Sequence, residues 1–388
     1  MKSSFLPIVL LVLVFSSKIY GQTEDTGTAA QRELHGGIEI GSDWIKAVAL
    51  RLSNDKQGAD VKLIYTEEIE AVSMRVGGGR LAPKVIDAIA LAVQKLYLRM
   101  WQFHGVPREH VYVIGGSDLK ADNLGMLADE VKSKTGKSVT FLNTETEVRL
   151  SLVSTIPRRY REGENWFDNR SISVLIDIGG GGIKGGYQQI RQPLAGDPYY
   201  DFVAVGIPRG ITAFTDEVNQ AAGENASLKK FALTSKALVQ GFIKATLKKN
   251  AEGKPGLATR KKVYLGGGIV LAMATLLHPE DRRAFVPITM DEINDFHYRA
   301  VNTPQTLLNP DLLQLRDSEE RKGAERDLEI VRSSFTPKSL VAGAEILKAV
   351  ASEYNFQGEG KRIFFARPSY LSSILSYVRL QSENVPQP

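Results

Sequence analysis

Cysteine is absent from the 388 residues of this chain, and histidine is scarce. The absence of cysteine excludes disulfide bonds, thiolate catalysis and every metal site built on sulfur. A chain of this length can still bury enough apolar surface to fold. The five histidines are His35, His104, His110, His278 and His297. No two of them have the spacing of ligands on one helix, so each is interpreted as a surface or packing residue.

Long apolar runs are absent too, apart from one short segment at the start. Phe5–Phe15 is a run of eleven residues that follows Lys2 and precedes the small residue Gly21. This pattern is typical of a secretory signal peptide over residues 1–21, because a membrane helix needs about 18 apolar residues. We therefore expect a mature protein that is soluble, has no membrane segment, and is secreted or periplasmic.

Charge of one sign is not in large excess. The formal net charge of +5 falls to +3 without Lys2 and Lys18, because the first acidic residue is Glu24. So mild an excess does not indicate a nucleic-acid partner, but it suits a small polyanionic ligand. The composition does not define the oligomeric state, and a homodimer is compatible with it.

The order of hydrophobic patterns is typical of an α/β protein. Residues 22–35 are polar and predict a flexible leader. Strand and helix patterns follow until a basic, turn-rich stretch at 156–170, after which a new strand begins. We predict an N-terminal domain over 36–155, a linker over 156–170, a C-terminal domain over 171–380 and a tail over 381–388.

One plan occurs in both halves of the chain. The stretches "GIEIGSDWIKAV" and "LIDIGGGGIKGG" each contain alternating apolar residues, an acid, Ile-Gly, a tight turn and Ile-Lys. The repeat predicts two related α/β domains that face each other across a cleft. Glu39 and Asp177 are the two acids, and their oxygens could hold Mg²⁺ or another divalent cation against a phosphate.

Glycine is concentrated where strands end. Without a Cβ atom, successive backbone N–H groups can converge on a phosphate. The predicted phosphate-binding residues are Gly41, Ser42, Gly179, Gly180, Gly181, Gly182, Gly267 and Gly268. The last two begin an apolar helix, whose first N–H groups attract anions. One such turn is often only a tight hairpin, but three in one chain favour a phosphate site.

Seven segments in order resemble one known family: "GIEIGSDWIKAVAL", "VIGGSDLKADN", "LNTETEVRLSL", "VLIDIGGGGIKGG", "VGIPRGITAFTDEV", "VYLGGGIVLAMATL" and "LVAGAEILKAV". The chain resembles the exopolyphosphatase and guanosine pentaphosphate phosphatase family, within the actin, sugar kinase and heat-shock ATPase superfamily, over about residues 36–380. The resemblance implies two ribonuclease-H-like, actin-like α/β domains that flank a cleft. It also implies that Glu147 in "ETEVRL" is the catalytic residue that activates the attacking water.

The chain departs from the family pattern at several positions. Glu39 stands where aspartate is usual, Trp44 where serine is usual, and Gly268 where threonine is usual. Lys184 stands where the family has an acid, so a cation replaces a metal ligand or base. The scaffold is kept while several polar contacts of the family are missing.

Two functions follow from these matches and departures. The first is an exported phosphoanhydride hydrolase resembling exopolyphosphatases, which releases phosphate from polyphosphate or nucleotide polyphosphates with a divalent metal. In this reading Glu39 and Asp177 bind the metal and Glu147 is the base. The alternative is a catalytically impaired phosphate- or nucleotide-binding protein of the same fold. A nucleotide-hydrolysing ectoenzyme of the same superfamily fits the segments less well.

Overall fold

A computed structural model of the chain describes residues 13–15, 33–53, 60–70, 79–162, 165–191 and 199–383. The chain divides into two compact units, each with its own sheet and hydrophobic core. Unit 1 comprises Met1–Leu142 and Ile374–Pro388, and unit 2 comprises Asn143–Ser373. No helix among the described residues is long and apolar enough to span a bilayer.

Unit 1 is a six-stranded sheet with helices on both faces. Its elements are β1 (Leu13–Phe15), β2 (Glu33–Ile40), β3 (Trp44–Ser53), β4 (Asp60–Glu70), α1 (Pro83–His104), β5 (Val111–Gly115), α2 (Leu124–Thr135), β6 (Val139–Phe141) and most of the last helix, α13 (Ser372–Glu383). Two neighbouring glycines of β2 identify the helix on each face of the sheet, because successive residues of a strand point in opposite directions. A Cβ atom at Gly36 would meet Met100 of α1, and one at Gly37 would meet Ile374 and Val378 of α13.

Unit 2 contains the second six-stranded sheet and a separate two-stranded hairpin. Its first half contains α3 (Thr144–Thr155), β7 (Arg159–Glu162), β8 (Asn165–Asp168), β9 (Ser173–Ile178), β10 (Ile183–Arg191), β11 (Tyr199–Ile207), α4 (Ile211–Ala222), α5 (Leu228–Leu238), a π-helical turn (Val239–Ile243), α6 (Lys244–Ala251) and α7 (Gly256–Thr259). Its second half contains β12 (Lys262–Gly266), α8 (Gly268–Leu277), β13 (Phe285–Ile288), α9 (Met290–Asn302), α10 (Pro304–Leu307), α11 (Ser318–Ser334), α12 (Pro337–Glu353) and β14 (Arg362–Ala366).

The two sheets share one arrangement of five strands. The order is β4-β3-β2-β5-β6 in unit 1 and β11-β10-β9-β12-β14 in unit 2, with two antiparallel pairs followed by two parallel pairs. The two copies of the repeated sequence pattern form hairpins with the same register, because Glu39 pairs with Lys46 and Asp177 pairs with Lys184. The α/β fold of two related domains is therefore confirmed.

The units do not divide where the sequence predicted. The division falls between Leu142 and Asn143, so the predicted linker at 156–170 lies inside unit 2. The physical reason is α3, which follows the last strand of unit 1 but packs on β10 and β11 of unit 2. The last helix behaves in the opposite way, since from Ile374 onward it belongs to unit 1.

Both ends of the chain are only partly described. Leu13–Phe15 pairs with β4, while the rest of the predicted signal peptide lies outside the described residues. The predicted leader at 22–35 is corrected at its end, because Glu33–His35 form the start of β2 and pair with β3. The predicted tail begins inside α13, and residues 384–388 lie outside the described part.

Glycines in β10 and β11 allow α3 to lie directly on the sheet. A Cβ atom at Gly206 would lie 2.6 Å from the Thr144 methyl group, and one at Gly186 would lie 2.9 Å from Val148. Thr144 and Val148 are one helical turn apart and share a face of α3. A larger residue at Gly206 would push the helix away from the strands, and one at Gly186 would also overlap the carbonyl oxygen of Val203 in β11.

We expect Gly206→Ala to lower the free energy of unfolding by about 1–3 kcal/mol, because the added methyl group overpacks the contact with Thr144. Urea denaturation of the two proteins measures the difference. Gly241→Ala is the matched control in unit 2, since a Cβ atom there meets no atom within 4 Å. Equal stability of the Gly206 variant and wild type would contradict the close packing of α3.

Candidate functional site

The glycine turn between β9 and β10 is held by a hydrogen bond within the hairpin and by two hydrogen bonds from α4. The N–H of Gly179 donates to the carbonyl of Gly182 at 2.9 Å and closes the hairpin. The carbonyl oxygens of Gly179 and Gly180 accept hydrogen bonds from the N–H groups of Ile211 and Thr212, at 3.1 and 3.2 Å. The first turn of α4 therefore supports the glycine turn, and those two N–H groups are already engaged.

Close approach explains why residue 210 is also a glycine. A Cβ atom at Gly210 would overlap the carbonyl group of Gly180 and the nitrogen of Gly182. The loop before α4 thus needs bare backbone to reach the turn. Sequence reasoning did not single out Gly210, although it lies in the quoted segment "VGIPRGITAFTDEV".

Asp177 lies at the end of β9, and its partners on the two neighbouring strands are a lysine and a glycine. On one side it pairs with Lys184 of β10, and cross-strand partners present their side chains on the same face of a sheet. On the other side it pairs with Gly266 of β12. A Cβ atom at Gly266 would lie 3.0 Å from Asp177 Oδ2 and would overlap the hydroxyl of Ser369. The missing side chain at Gly266 therefore leaves room for two polar groups.

Glu147 forms an ion pair with Lys184. Lys184 Nζ donates to Glu147 Oε1, and the two side chains are only 16% and 8% exposed. Glu147 reaches this position from the first turn of α3, which Asn143 caps by accepting from the N–H of Thr146 at 2.8 Å. A carboxylate there also complements the positive end of the helix dipole. The predicted base is thus paired with the residue that departs from the family pattern.

The start of α8 keeps the features of an anion site. Gly267 has φ +89°, a conformation that favours glycine, and no side chain caps the helix. A Cβ atom at Gly267 would overlap the backbone of Ile178 at the end of β9. The first N–H groups of α8 therefore begin beside the strand end that carries Asp177. Gly268 has room for a side chain, because its added Cβ atom lies 3.4 Å from Phe335.

Unit 1 contains the corresponding turn with a different set of side chains. The N–H of Gly41 donates to the carbonyl of Trp44 at 2.9 Å, so a tryptophan at this position does not prevent the turn. Ser42 Oγ donates to Asp118 Oδ2 at 2.9 Å. Glu39 is 8% exposed and pairs across the strands with Lys46. Each acid of the repeat therefore has a lysine as its cross-strand partner.

Asp118 is a candidate that sequence reasoning missed. A Cβ atom at Gly116 would lie 2.7 Å from Asp118 Oδ1 and 3.8 Å from Glu39 Oε1. Gly116 comes directly after β5, which is the parallel neighbour of β2. The segment "VIGGSDLKADN" contains both residues, but only the pairing of β2 with β5 brings Asp118 near Glu39.

The predicted site residues fall into two groups. In unit 2, the structure brings together Glu147, Lys184, Asp177, the turn at Gly179–Gly182 and the start of α8. In unit 1, it brings together Glu39, Gly41, Ser42 and Asp118. The assignment of these residues to phosphate, metal and catalysis stays a prediction.

Comparisons with known proteins gave matches at the level of structure. No protein-family profile matches this sequence. No curated protein sequence matches it either. An exopolyphosphatase structure from Cytophaga hutchinsonii aligns with a TM-score of 0.62 and 14% identity, over 90% of this chain and 98% of that chain.

Two further solved structures agree with the first. A Ppx/GppA family member from Aquifex aeolicus has a TM-score of 0.57 and 16% identity, over 91% of this chain and 99% of its own. An exopolyphosphatase-like protein has a TM-score of 0.59 and 13% identity, over 91% and 99%. At such low identity the likeness defines the fold alone. The chain has the two-domain, actin-like α/β fold of the exopolyphosphatase and Ppx/GppA structures, with a strongly divergent sequence.

Proposed function

We propose that this protein is a phosphoanhydride hydrolase that releases phosphate from polyphosphate or a nucleotide polyphosphate. The observation that carries the proposal is the group of Glu147, Lys184 and Asp177 beside the start of α8, in a fold shared with exopolyphosphatases. Glu147 would take a proton from the attacking water. The N–H groups at the start of α8 and the ammonium of Lys184 would stabilise charge on the phosphoryl oxygens.

A divalent cation is part of the proposed chemistry, and each unit by itself offers carboxylate oxygens that could bind one. Asp177 in unit 2 is a carboxylate at a strand end. In unit 1, Glu39 and Asp118 place carboxylates around Gly116, with the Ser42 hydroxyl on Asp118. Oxygen ligands of this kind suit Mg²⁺ or another hard divalent cation. When bound, such a cation would neutralise phosphate oxygens.

The ion pair of Glu147 and Lys184 sets a condition on hydrolysis. While Lys184 occupies Oε1 of Glu147, a water at that oxygen must compete with an ammonium group. In the proposed reaction Lys184 moves to a phosphate oxygen as the polyanion binds, and Glu147 Oε1 then accepts the hydrogen bond of the water. The strongly charged substrate would itself drive this exchange.

The same ion pair favours a second candidate, a phosphate- or nucleotide-binding protein that is catalytically impaired. In this candidate Lys184 stays on Glu147 and the pair is structural. The glycine turns and the start of α8 would still bind an anion. The two candidates therefore share a ligand class and differ only in turnover.

Glu147→Gln is expected to lower the rate of phosphate release from polyphosphate by about 10²–10⁴-fold, because an amide cannot accept the proton of the water. The amide oxygen still faces Lys184, so polyphosphate should still raise the melting temperature. Release of phosphate with and without Mg²⁺, and thermal melting, are the two measurements. Glu145→Gln is the control, since Glu145 is exposed in the same helical turn. Undiminished turnover in the Glu147 variant would exclude Glu147 as the base.

Lys184→Glu separates the two candidates, because they predict opposite results. In a hydrolase the new carboxylate would repel both Glu147 and the phosphate chain, so turnover should fall. In an impaired binding protein it would restore the acid of the family pattern, so Mg²⁺-dependent phosphate release should appear. Lys184→Met removes the charge without adding an acid and serves as the control. If wild type binds polyphosphate without releasing phosphate, the hydrolase proposal is wrong.

We also propose that the protein is exported, as the pattern of residues 1–21 predicts. Cleavage after Gly21 would leave Gln22 as the first residue of the mature chain. N-terminal sequencing of the protein purified from the periplasmic or secreted fraction of its host should find Gln22. Recovery of the intact chain with Met1 in the cytoplasmic fraction would contradict export.

A further inference from the structure

Two histidines that are far apart in the sequence meet in unit 1. Gly36 of β2 pairs with Val111 of β5 in parallel register, so His35 and His110 lie next to each other just before these two residues. Their rings stack with centroids 4.6 Å apart and an interplanar angle of 14°. The spacing of the histidines along the chain does not reveal that these two are neighbours in space.

Glu33 completes a group of three side chains with ligand atoms. His35 Nε2 lies 3.5 Å from Glu33 Oε2. One ligand atom from each of Glu33, His35 and His110 lies within 4.8 Å of the others. Ligands of a tetrahedral zinc ion are about 3.3 Å apart, given bonds of about 2.0–2.1 Å. The lone pairs of the two stacked rings lie in nearly parallel planes, so His110 must turn out of the stack to bind one ion together with His35. Glu33 is exposed and His110 is partly exposed, so both side chains have room to rotate.

A buried atom without a partner points to a ligand at this place. His35 is 2% exposed, and its Nδ1 atom has no hydrogen-bond partner among the described residues. Burial, and to a lesser extent His110, lowers the pKa of His35, while Glu33 raises it. A buried polar atom without a partner is costly unless another group satisfies it. The two nitrogens of an imidazole point in different directions, so an ion on Nδ1 requires the exposed side chain of Glu33 to turn from Nε2 to that ion.

One ring nitrogen of His110 contacts a backbone carbonyl. Its Nδ1 atom lies 3.3 Å from the carbonyl oxygen of Leu34. A histidine that donates from one ring nitrogen to a backbone carbonyl keeps the other nitrogen free to bind a metal, and this pairing orients most histidine ligands. The group therefore has two imidazoles, one carboxylate and a backbone carbonyl that positions one ring.

We propose that Glu33, His35 and His110 form a binding site for Zn²⁺ or a similar first-row divalent cation. Imidazole favours such metals over Mg²⁺. Three protein ligands leave a fourth position for water. The site joins the first residues of β2 to the 3₁₀ turn Arg108–His110 that precedes β5. It is distinct from the proposed magnesium ligand Glu39, which lies four residues beyond His35 along β2, or about 13 Å away at 3.3 Å per residue.

The test measures metal binding directly and does not depend on phosphate hydrolysis. Protein stripped with EDTA is titrated with ZnCl₂ by calorimetry in excess Mg²⁺. We expect one Zn²⁺ per chain and a higher melting temperature with Zn²⁺. The affinity should fall at least about tenfold in Glu33→Gln and in His110→Gln. Both residues are accessible at the surface, so these variants should fold even if His35→Gln does not.

His104→Gln is the matched control, because His104 lies in the same unit but stacks on Tyr65 with a centroid distance of 4.1 Å. Its affinity for Zn²⁺ should equal that of wild type. Cobalt(II) in place of zinc should give visible absorption bands that Glu33→Gln and His110→Gln weaken. No saturable Zn²⁺ binding by wild type, or equal binding by the Glu33 and His110 variants, would overturn the proposal.

Discussion

The close packing of α3 on β10 and β11 determines which side chains meet at the candidate site of unit 2. Gly186 and Gly206 leave space for Val148 and Thr144, so the first turn of α3 rests on the strands. Glu147 lies between those two residues in the helix and is thereby brought to Lys184. Gly186 and Gly206 are not among the predicted phosphate-binding glycines, and their lack of a side chain makes room for a helix.

The ion pair of Glu147 and Lys184 adds an electrostatic contribution to the contact between α3 and β10. Moving two charges out of water is costly, and their attraction offsets that cost only while both partners are present. Loss of one partner of a buried pair typically destabilises a protein by about 3–5 kcal/mol, although a neutral group that keeps the hydrogen bond reduces the penalty. A polyanion that withdraws Lys184 would have to compensate the same carboxylate in another way, and a metal ion or a bound water proton could do so.

Local patterns in the sequence predicted the repeated hairpins and the helix that begins at Gly267 and Gly268, because alternation and glycine turns depend on neighbouring residues. The partner of Lys184 could not be predicted in this way, since Glu147 arrives from a different segment by helix packing. The meeting of His35 with His110 depends on the pairing of β2 with β5, and spacing along the chain does not reveal it. The same holds for Asp118 beside Glu39. Local patterns therefore indicate where strands end, but not which side chains from other segments lie around those ends.

The membership of α13 in unit 1 affects the order in which the chain can fold. The face of β2 at Gly37 is covered by Ile374 and Val378, which lie more than 330 residues further along the chain. Unit 1 therefore lacks one of its helices until the residues of unit 2 have also been synthesised. Its native packing must wait for contacts of very large sequence separation, which slow folding and keep an apolar surface open in the meantime.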